Sequence, residues 1–111
     1  MLAGASWIAE YGDPDEPEDW AFLKNYSPYH NIQANQDYPV PLIFTSTKDD
    51  RVHPGHARKM TARMMAQDHE VEYYENLEGG LAGSSNNPQT AYFTALSYSY
   101  LSDRLDASPL P

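Results

Sequence analysis

Two short strand-like segments with a helix-sized stretch between them limit the folds open to this chain. Residues 40–45 (VPLIFT) form an apolar run rich in β-branched and aromatic side chains, which is typical of a buried strand. Residues 71–75 (VEYYE) alternate in character and predict a second strand. The 25 residues between them, 46–70, have the length of a helical crossover. The sequence therefore predicts a βαβ unit with parallel strands.

Helical spacing predicts which sides of two helices face this sheet. A crossover helix opens at Pro54 and runs to about residue 67, and a second helix covers residues 90–105. The apolar side chains expected to face inward on these two helices are Ala57, Met60, Met64 and Met65, and then Phe93, Leu96, Tyr100 and Leu101.

Residues 1–39 are rich in turn formers and aromatic residues and predict a helical and loop segment that caps the rest. The two prolines in residues 13–17 break regular structure there. Residues 17–23 predict a short helix, because a proline lies in its first turn and acidic side chains favour a helix N-terminus. Residues 26–29 should end it. Residues 1–12 lack the basic start of a signal peptide and are interpreted as a buried helix or loop end.

The predicted elements form one α/β domain over residues 1–111. Residues 1–39 supply the cap, and residues 40–105 supply strand, helix, strand and helix. A sheet of only two strands is a poor one. We therefore expect the missing strands to belong either to a larger parent chain or to a partner.

Composition excludes several functional classes. The formal net charge is −9, from 16 acidic and 7 basic side chains, so an acidic surface should repel both nucleic acid and anionic membranes. Without cysteine the chain cannot form disulfides or thiolate metal sites, and both cytoplasm and periplasm stay open as compartments. No apolar run approaches the roughly 20 residues that span a bilayer. We expect a soluble chain with no nucleic-acid or membrane partner.

Four segments carry a family resemblance. Residues 49–59 (DDRVHPGHARK) resemble the segment of prolyl oligopeptidases and related peptidases that holds the catalytic aspartate. Residues 73–80 (YYENLEGG) resemble the strand and loop that lead to their catalytic histidine. Residues 10–14 (EYGDP) and 26–31 (YSPYHN) also match, in the right order. The resemblance implies a partial three-layer α/β-hydrolase fold from the C-terminal end of a serine peptidase or esterase, with a peptide or small ester substrate and no cofactor.

The resemblance assigns roles to two residues after the first strand. Asp49 matches the triad aspartate, which orients the histidine and stabilises its imidazolium form. Arg51 matches an arginine that binds the substrate main chain, a task that suits a guanidinium group. The alternative for this loop is an ion pair with carboxylates that cap the following helix, and we favour helix capping for Asp50.

Two departures from the family pattern concern catalysis. The family has Glu-Gly-Gly-His-Ala-Gly where this chain has Leu81 at the histidine position, and leucine can neither accept a proton nor donate to Asp49. The sequence also contains no Gly-x-Ser-x-Gly nucleophile elbow. We therefore expect weak activity or none from the chain alone.

Other readings of the polar residues stay open. His53 and His56, beside Asp49 and Asp50, could hold a metal ion, but we favour a rim residue and a first-turn helix residue and expect no metal site. Ser84 and Ser85 have no adjacent base, although His53 could act as one. We expect His30 to be a packed loop residue and His69 to be exposed.

A function of a different class is also open. Unpaired strand edges could let the chain act as a non-catalytic interaction module that forms homo-oligomers.

Overall fold

The computed structural model describes residues 3–77 and 87–106. The described elements, in chain order, are a 3-10 helix Ala3–Trp7, α1 Ile8–Tyr11, α2 Pro17–Leu23, α3 Pro28–Asn31, β1 Leu42–Ser46, α4 Gly55–Ala66, β2 Glu72–Asn76 and α5 Asn87–Asp106.

The two strands pair in parallel, which confirms the predicted βαβ unit. Leu42 lies opposite Glu72, and the register continues to Ser46 opposite Asn76. Both strands begin and end slightly later than predicted. Pro41 has no N–H to donate, but its carbonyl oxygen accepts the N–H of Glu72 at 2.9 Å and so closes the start of the ladder.

Helix α4 packs against one face of the sheet through the predicted stripe. Met64 is only 2% exposed, and Ala57 and Met60 are half-buried. The prediction for Met65 is wrong, because this side chain is 63% exposed. It follows Met64 by one position, and a rotation of about 100° per residue carries it off the buried stripe.

Helix α5 lies over part of the opposite face. Side chains alternate between the two faces of a strand, so Phe44 points away from its neighbour Ile43, which lies by Met60 and Met64 of α4. The Phe44 and Phe93 ring centroids are 4.7 Å apart.

Two polar contacts bind the rest of α5 to the segment before β1 and to β2. The Tyr100 hydroxyl donates to the Val40 carbonyl oxygen at 2.5 Å, and Arg104 forms a 2.5 Å ion pair with Glu72. Phe93, Leu96 and Tyr100 are half-buried as predicted, whereas Leu101 is 48% exposed and was predicted wrongly. In the described parts of the chain, α5 included, no helix is both long and apolar enough to cross a bilayer.

The N-terminal segment forms short helices joined by turns. Helix α2 has the predicted bounds, with proline in its first turn and Glu18 and Asp19 beside it. The prediction that residues 1–12 are buried is wrong for the described part, since Trp7 and Tyr11 are 52% and 53% exposed. Gly12 ends α1 with φ of 99°, a conformation that glycine adopts without strain.

Helix α3 was not predicted, because Pro28 was interpreted as the end of α2. The Asn31 side-chain amide donates to the carbonyl oxygens of Lys24 at 2.7 Å and of Ser27 at 2.8 Å. Pro28 therefore opens a new turn that the Asn31 amide holds against the end of α2.

Candidate active site at the carboxyl ends of the strands

Asp49 lies in a tight turn directly after β1. Its N–H donates to the Ser46 carbonyl oxygen at 3.1 Å. One carboxylate oxygen, Oδ1, accepts the backbone N–H groups of Arg51 at 2.9 Å and Val52 at 2.8 Å. The other oxygen, Oδ2, forms no hydrogen bond with any described residue. The turn thus fixes the carboxylate and leaves one oxygen available to a further donor.

A cavity of about 320 Å³ opens beside this carboxylate. Cavities that hold small molecules begin at about this size. It lies where the strands end, between the start of α4 and the first half of α5, and its lining includes Asp49, His53, His56, Tyr74, Asn76 and Phe93.

The two cavity histidines occupy the predicted positions. His53 is on the rim, and its Nδ1 atom accepts the Gly55 N–H at 3.0 Å, so the proton of a neutral His53 ring lies on Nε2. His56 is in the first turn of α4, with its N–H bonded to the His53 carbonyl oxygen. No group of three or more histidine and acidic side chains in residues 3–77 and 87–106 could hold a metal ion.

Asp50 and Arg51, which follow Asp49, were each predicted to have a role in this loop. Arg51 is exposed, and its guanidinium group forms no ion pair or hydrogen bond with a described residue. Its substrate-binding role stays a prediction. The capping role favoured for Asp50 is wrong, since Pro54 occupies the N-cap of α4 and no side chain caps that helix. Proline has a preset φ that suits this position, so α4 begins without a carboxylate.

Leu81, Ser84 and Ser85 lie outside the described residues. Their predicted roles, including the replacement of a catalytic histidine by Leu81, remain predictions.

The positions of His30 and His69 differ from those predicted. His30 was predicted to be a packed loop residue, but it lies in α3 and is exposed, although its ring centroid is 4.9 Å from that of Trp20. His69 was predicted to be exposed and is half-buried. Its Nε2 atom donates to the Gln33 carbonyl oxygen at 2.8 Å, and its ring lies 5.0 Å from that of Tyr38.

A polar cluster around Glu75 was missed by sequence reasoning. The Glu75 carboxylate accepts hydrogen bonds from the Thr47 hydroxyl at 2.5 Å, the Tyr73 hydroxyl at 2.7 Å and the Arg58 Nε at 3.1 Å, and it also binds Arg58 Nη2. The sequence offered only a weak signal, namely that Tyr73 and Glu75 share one face of β2.

These contacts shift the pKa values of two groups in the cluster, Glu75 and Tyr73. The hydrogen bonds from Arg58, then Thr47 and Tyr73, lower the pKa of Glu75 from 4.5 to about 2. Partial burial, followed by the hydrogen bond to Glu75, raises the pKa of the Tyr73 hydroxyl. Glu75 is therefore a carboxylate, and Tyr73 a neutral donor, at neutral pH.

A parallel strand–helix–strand unit, with helices on both faces and an aspartate turn at the strand ends, is a partial α/β-hydrolase fold. The model of the prolyl oligopeptidase family matches residues 2–108, so the chain belongs to this family.

Individual relatives agree with this assignment. The chain is 52% identical over 105 residues to "Uncharacterized peptidase y4nA" of Sinorhizobium fredii, a match that covers 95% of this chain and 14% of that protein. It is 44% identical over 68 residues to "Prolyl endopeptidase" of Elizabethkingia miricola, which covers 60% of this chain and 10% of the relative. The chain thus spans a small fraction of the length of the curated relatives it matches.

A solved structure supports the fold. It is described as part of a "Structural and Mechanistic Analysis of Two Prolyl Endopeptidases", with a TM-score of 0.87 and 32% sequence identity. The match covers 95% of this chain and 16% of that one.

Proposed function

We propose that this chain is the part of a serine peptidase or ester hydrolase that holds the triad aspartate, Asp49. One observation carries the proposal: the turn after β1 fixes the Asp49 carboxylate through two backbone N–H groups and leaves Oδ2 available at the edge of a cavity. A triad aspartate needs such a fixed carboxylate, because it orients the histidine by accepting a hydrogen bond from its Nδ1–H group.

The role of Asp49 in a complete site follows from this geometry. A histidine at position 81 would donate a hydrogen bond from its Nδ1–H group to Asp49, and its Nε2 atom would take the proton of a serine nucleophile. The imidazolium formed in that step would be stabilised by the fixed carboxylate. Relatives named as prolyl endopeptidases suggest peptides that contain proline as the substrate class. Arg51 is the residue that we propose to bind the substrate main chain.

The chain itself should turn over substrate weakly or not at all. Leucine at position 81 has no proton to give and no lone pair to accept one. The sequence also has no serine in a Gly-x-Ser-x-Gly turn, and that turn supplies part of the oxyanion hole. Asp49 would therefore be a positioned carboxylate with no catalytic partner in this sequence.

A fluorophosphonate probe, which labels activated serines, tests this proposal. We expect no labelling of the 111-residue chain. Any hydrolysis of a p-nitrophenyl ester should survive Asp49→Ala, Ser84→Ala and Ser85→Ala, which would identify it as nonspecific. Loss of turnover in one of these variants would instead show that an active site has been rebuilt, and the proposal of an inactive chain would be wrong.

We also propose, as the second candidate, a non-catalytic interaction module that self-associates through its sheet edges. Among the described residues β1 and β2 pair as strands only with each other, so residues 42–45 and 72–75 have no second strand beside them. Phe44 on β1 is 57% exposed despite its contact with α5. Light scattering over a concentration series should then show dimers or larger species, and a monomer at the highest concentration would contradict this function.

A further inference from the structure

We propose that Glu75 is a positioning residue that fixes the Asp49 turn against the carboxyl end of β2 through Thr47, while Arg58 of α4 binds the same carboxylate. This inference rests on the proposed function of Asp49, since the position of that turn matters only if its carboxylate serves in catalysis.

Glu75 joins three elements at one carboxylate. Thr47 follows β1, Arg58 lies in the first turns of α4, and Tyr73 precedes Glu75 on β2. The Glu75 side chain is only 15% exposed, and the hydrogen bonds involve an ionised acceptor. Such charge-assisted bonds are roughly twice as strong as neutral ones. The cluster therefore links the ends of β1 and β2 to the crossover helix α4.

Thr47 connects the Glu75 cluster to the turn that holds Asp49. Its N–H donates to the Asn76 carbonyl oxygen at 2.9 Å, while its hydroxyl donates to Glu75, so backbone and side chain together bind it to β2. Thr47 lies inside the turn that the Asp49 N–H closes onto Ser46. The Ser46 hydroxyl also donates to the Asn76 carbonyl oxygen, at 3.3 Å. The bond from the Thr47 hydroxyl to Glu75 adds an attachment from inside the turn, and we expect it to restrict rotation of the turn about the strand end.

The Asp49 carboxylate moves with the turn. Its Oδ1 atom is bound to the N–H groups of Arg51 and Val52, so these two amide protons report how firmly the carboxylate is held. Position 81 follows β2 along the sequence. Fixing the Asp49 turn to β2 therefore places the carboxylate relative to the strand that leads to the family's histidine position.

The rate of amide hydrogen exchange in the 111-residue chain, measured by NMR, tests the proposal. Thr47→Val removes the hydroxyl with little change of shape, and Thr47→Ser is the matched control that keeps it. We expect about fivefold faster exchange at Arg51 and Val52 in Thr47→Val, the effect of losing one hydrogen bond, and a change below about twofold in Thr47→Ser. Glu75→Gln should act in the same direction as Thr47→Val.

Amides in the middle of α5 monitor global stability in the same spectra, and the acceleration at Arg51 and Val52 should exceed any acceleration in α5. Equal acceleration at α5 and at the Asp49 turn would show a merely structural role and overturn the proposal, as would unchanged rates at Arg51 and Val52. No substrate enters this measurement. Failure of the proposed function, detected by probe labelling or turnover, is therefore distinguishable from failure of the positioning role, detected only in these exchange rates.

Discussion

Met64 and Met65 offer a direct test of how α4 packs, because two adjacent methionines have opposite environments. Met64 is 2% exposed and Met65 is 63% exposed. Truncation to alanine removes three heavy side-chain atoms at either position. For Met64, burial worth about 0.8 kcal/mol per methylene-sized group gives a loss of roughly 2–3 kcal/mol.

The cavity contribution for Met64→Ala should be small. Buried methionine-to-alanine changes cost about 2–5 kcal/mol, and the upper values need an enclosed void. Met64 instead lines an open apolar groove of about 460 Å³, so the vacated space joins an existing opening. The lower half of the range therefore applies.

Urea unfolding followed by circular dichroism measures both variants. Met64→Ala should lower the free energy of unfolding by roughly 2–3 kcal/mol, and Met65→Ala should change it by less than about 0.5 kcal/mol. Equal effects of the two changes, or a loss below about 1 kcal/mol for Met64→Ala, would refute the packing described for α4.

Three further changes test other contacts of the fold. Glu75→Gln should destabilise the chain at pH 7, and progressively less as the pH falls from 4.5 towards about 2. The lowered pKa of Glu75 gives a stabilisation that is present above the unfolded pKa and is lost as the carboxylate is protonated. Acid titrations of stability for both forms check this, and a difference that stays constant with pH would contradict it. Tyr100→Phe removes the bond to the Val40 carbonyl oxygen and should lower the unfolding free energy by about 1 kcal/mol in urea titrations, whereas no change would deny that bond a role. Phe93→Ala should cost about 3 kcal/mol or somewhat less, since Phe93 is half-buried against Phe44, and a loss below about 0.5 kcal/mol would show that α5 does not cover the sheet.

Elements with local signals were predictable from the sequence. Helix α2 has its predicted bounds because proline fixes the first turn and the acids beside it suit a helix N-terminus. The parallel pairing followed from the strand–helix–strand order and the length of the crossover. Helix α3 was missed because Pro28 can either stop or start a helix, and the choice depends on Asn31 reaching the carbonyl oxygen of Lys24.

The candidate site likewise contains one part that could be predicted from the sequence and one that could not. Asp49 could be placed at the end of β1 because it follows the predicted strand directly and matches a family motif. The Glu75 cluster could not be predicted, because its partner Arg58 lies 17 residues away and the contact depends on the rotation of α4 about its own axis. The exposure of Met65 depended on that same rotation.

A hybrid peptidase tests the role of Asp49 most directly. This chain would replace the matching 105-residue segment of the y4nA peptidase of Sinorhizobium fredii, and the rate of fluorophosphonate labelling would be measured. We expect no labelling with Leu81 present and rapid labelling after Leu81→His. Adding Asp49→Asn to that hybrid should slow the labelling by up to roughly 10⁴-fold, the loss seen when a triad aspartate is neutralised. Rapid labelling with Leu81 unchanged would contradict the assignment of position 81 as the histidine position. Labelling that ignores Asp49→Asn would contradict the assignment of Asp49 as the triad aspartate.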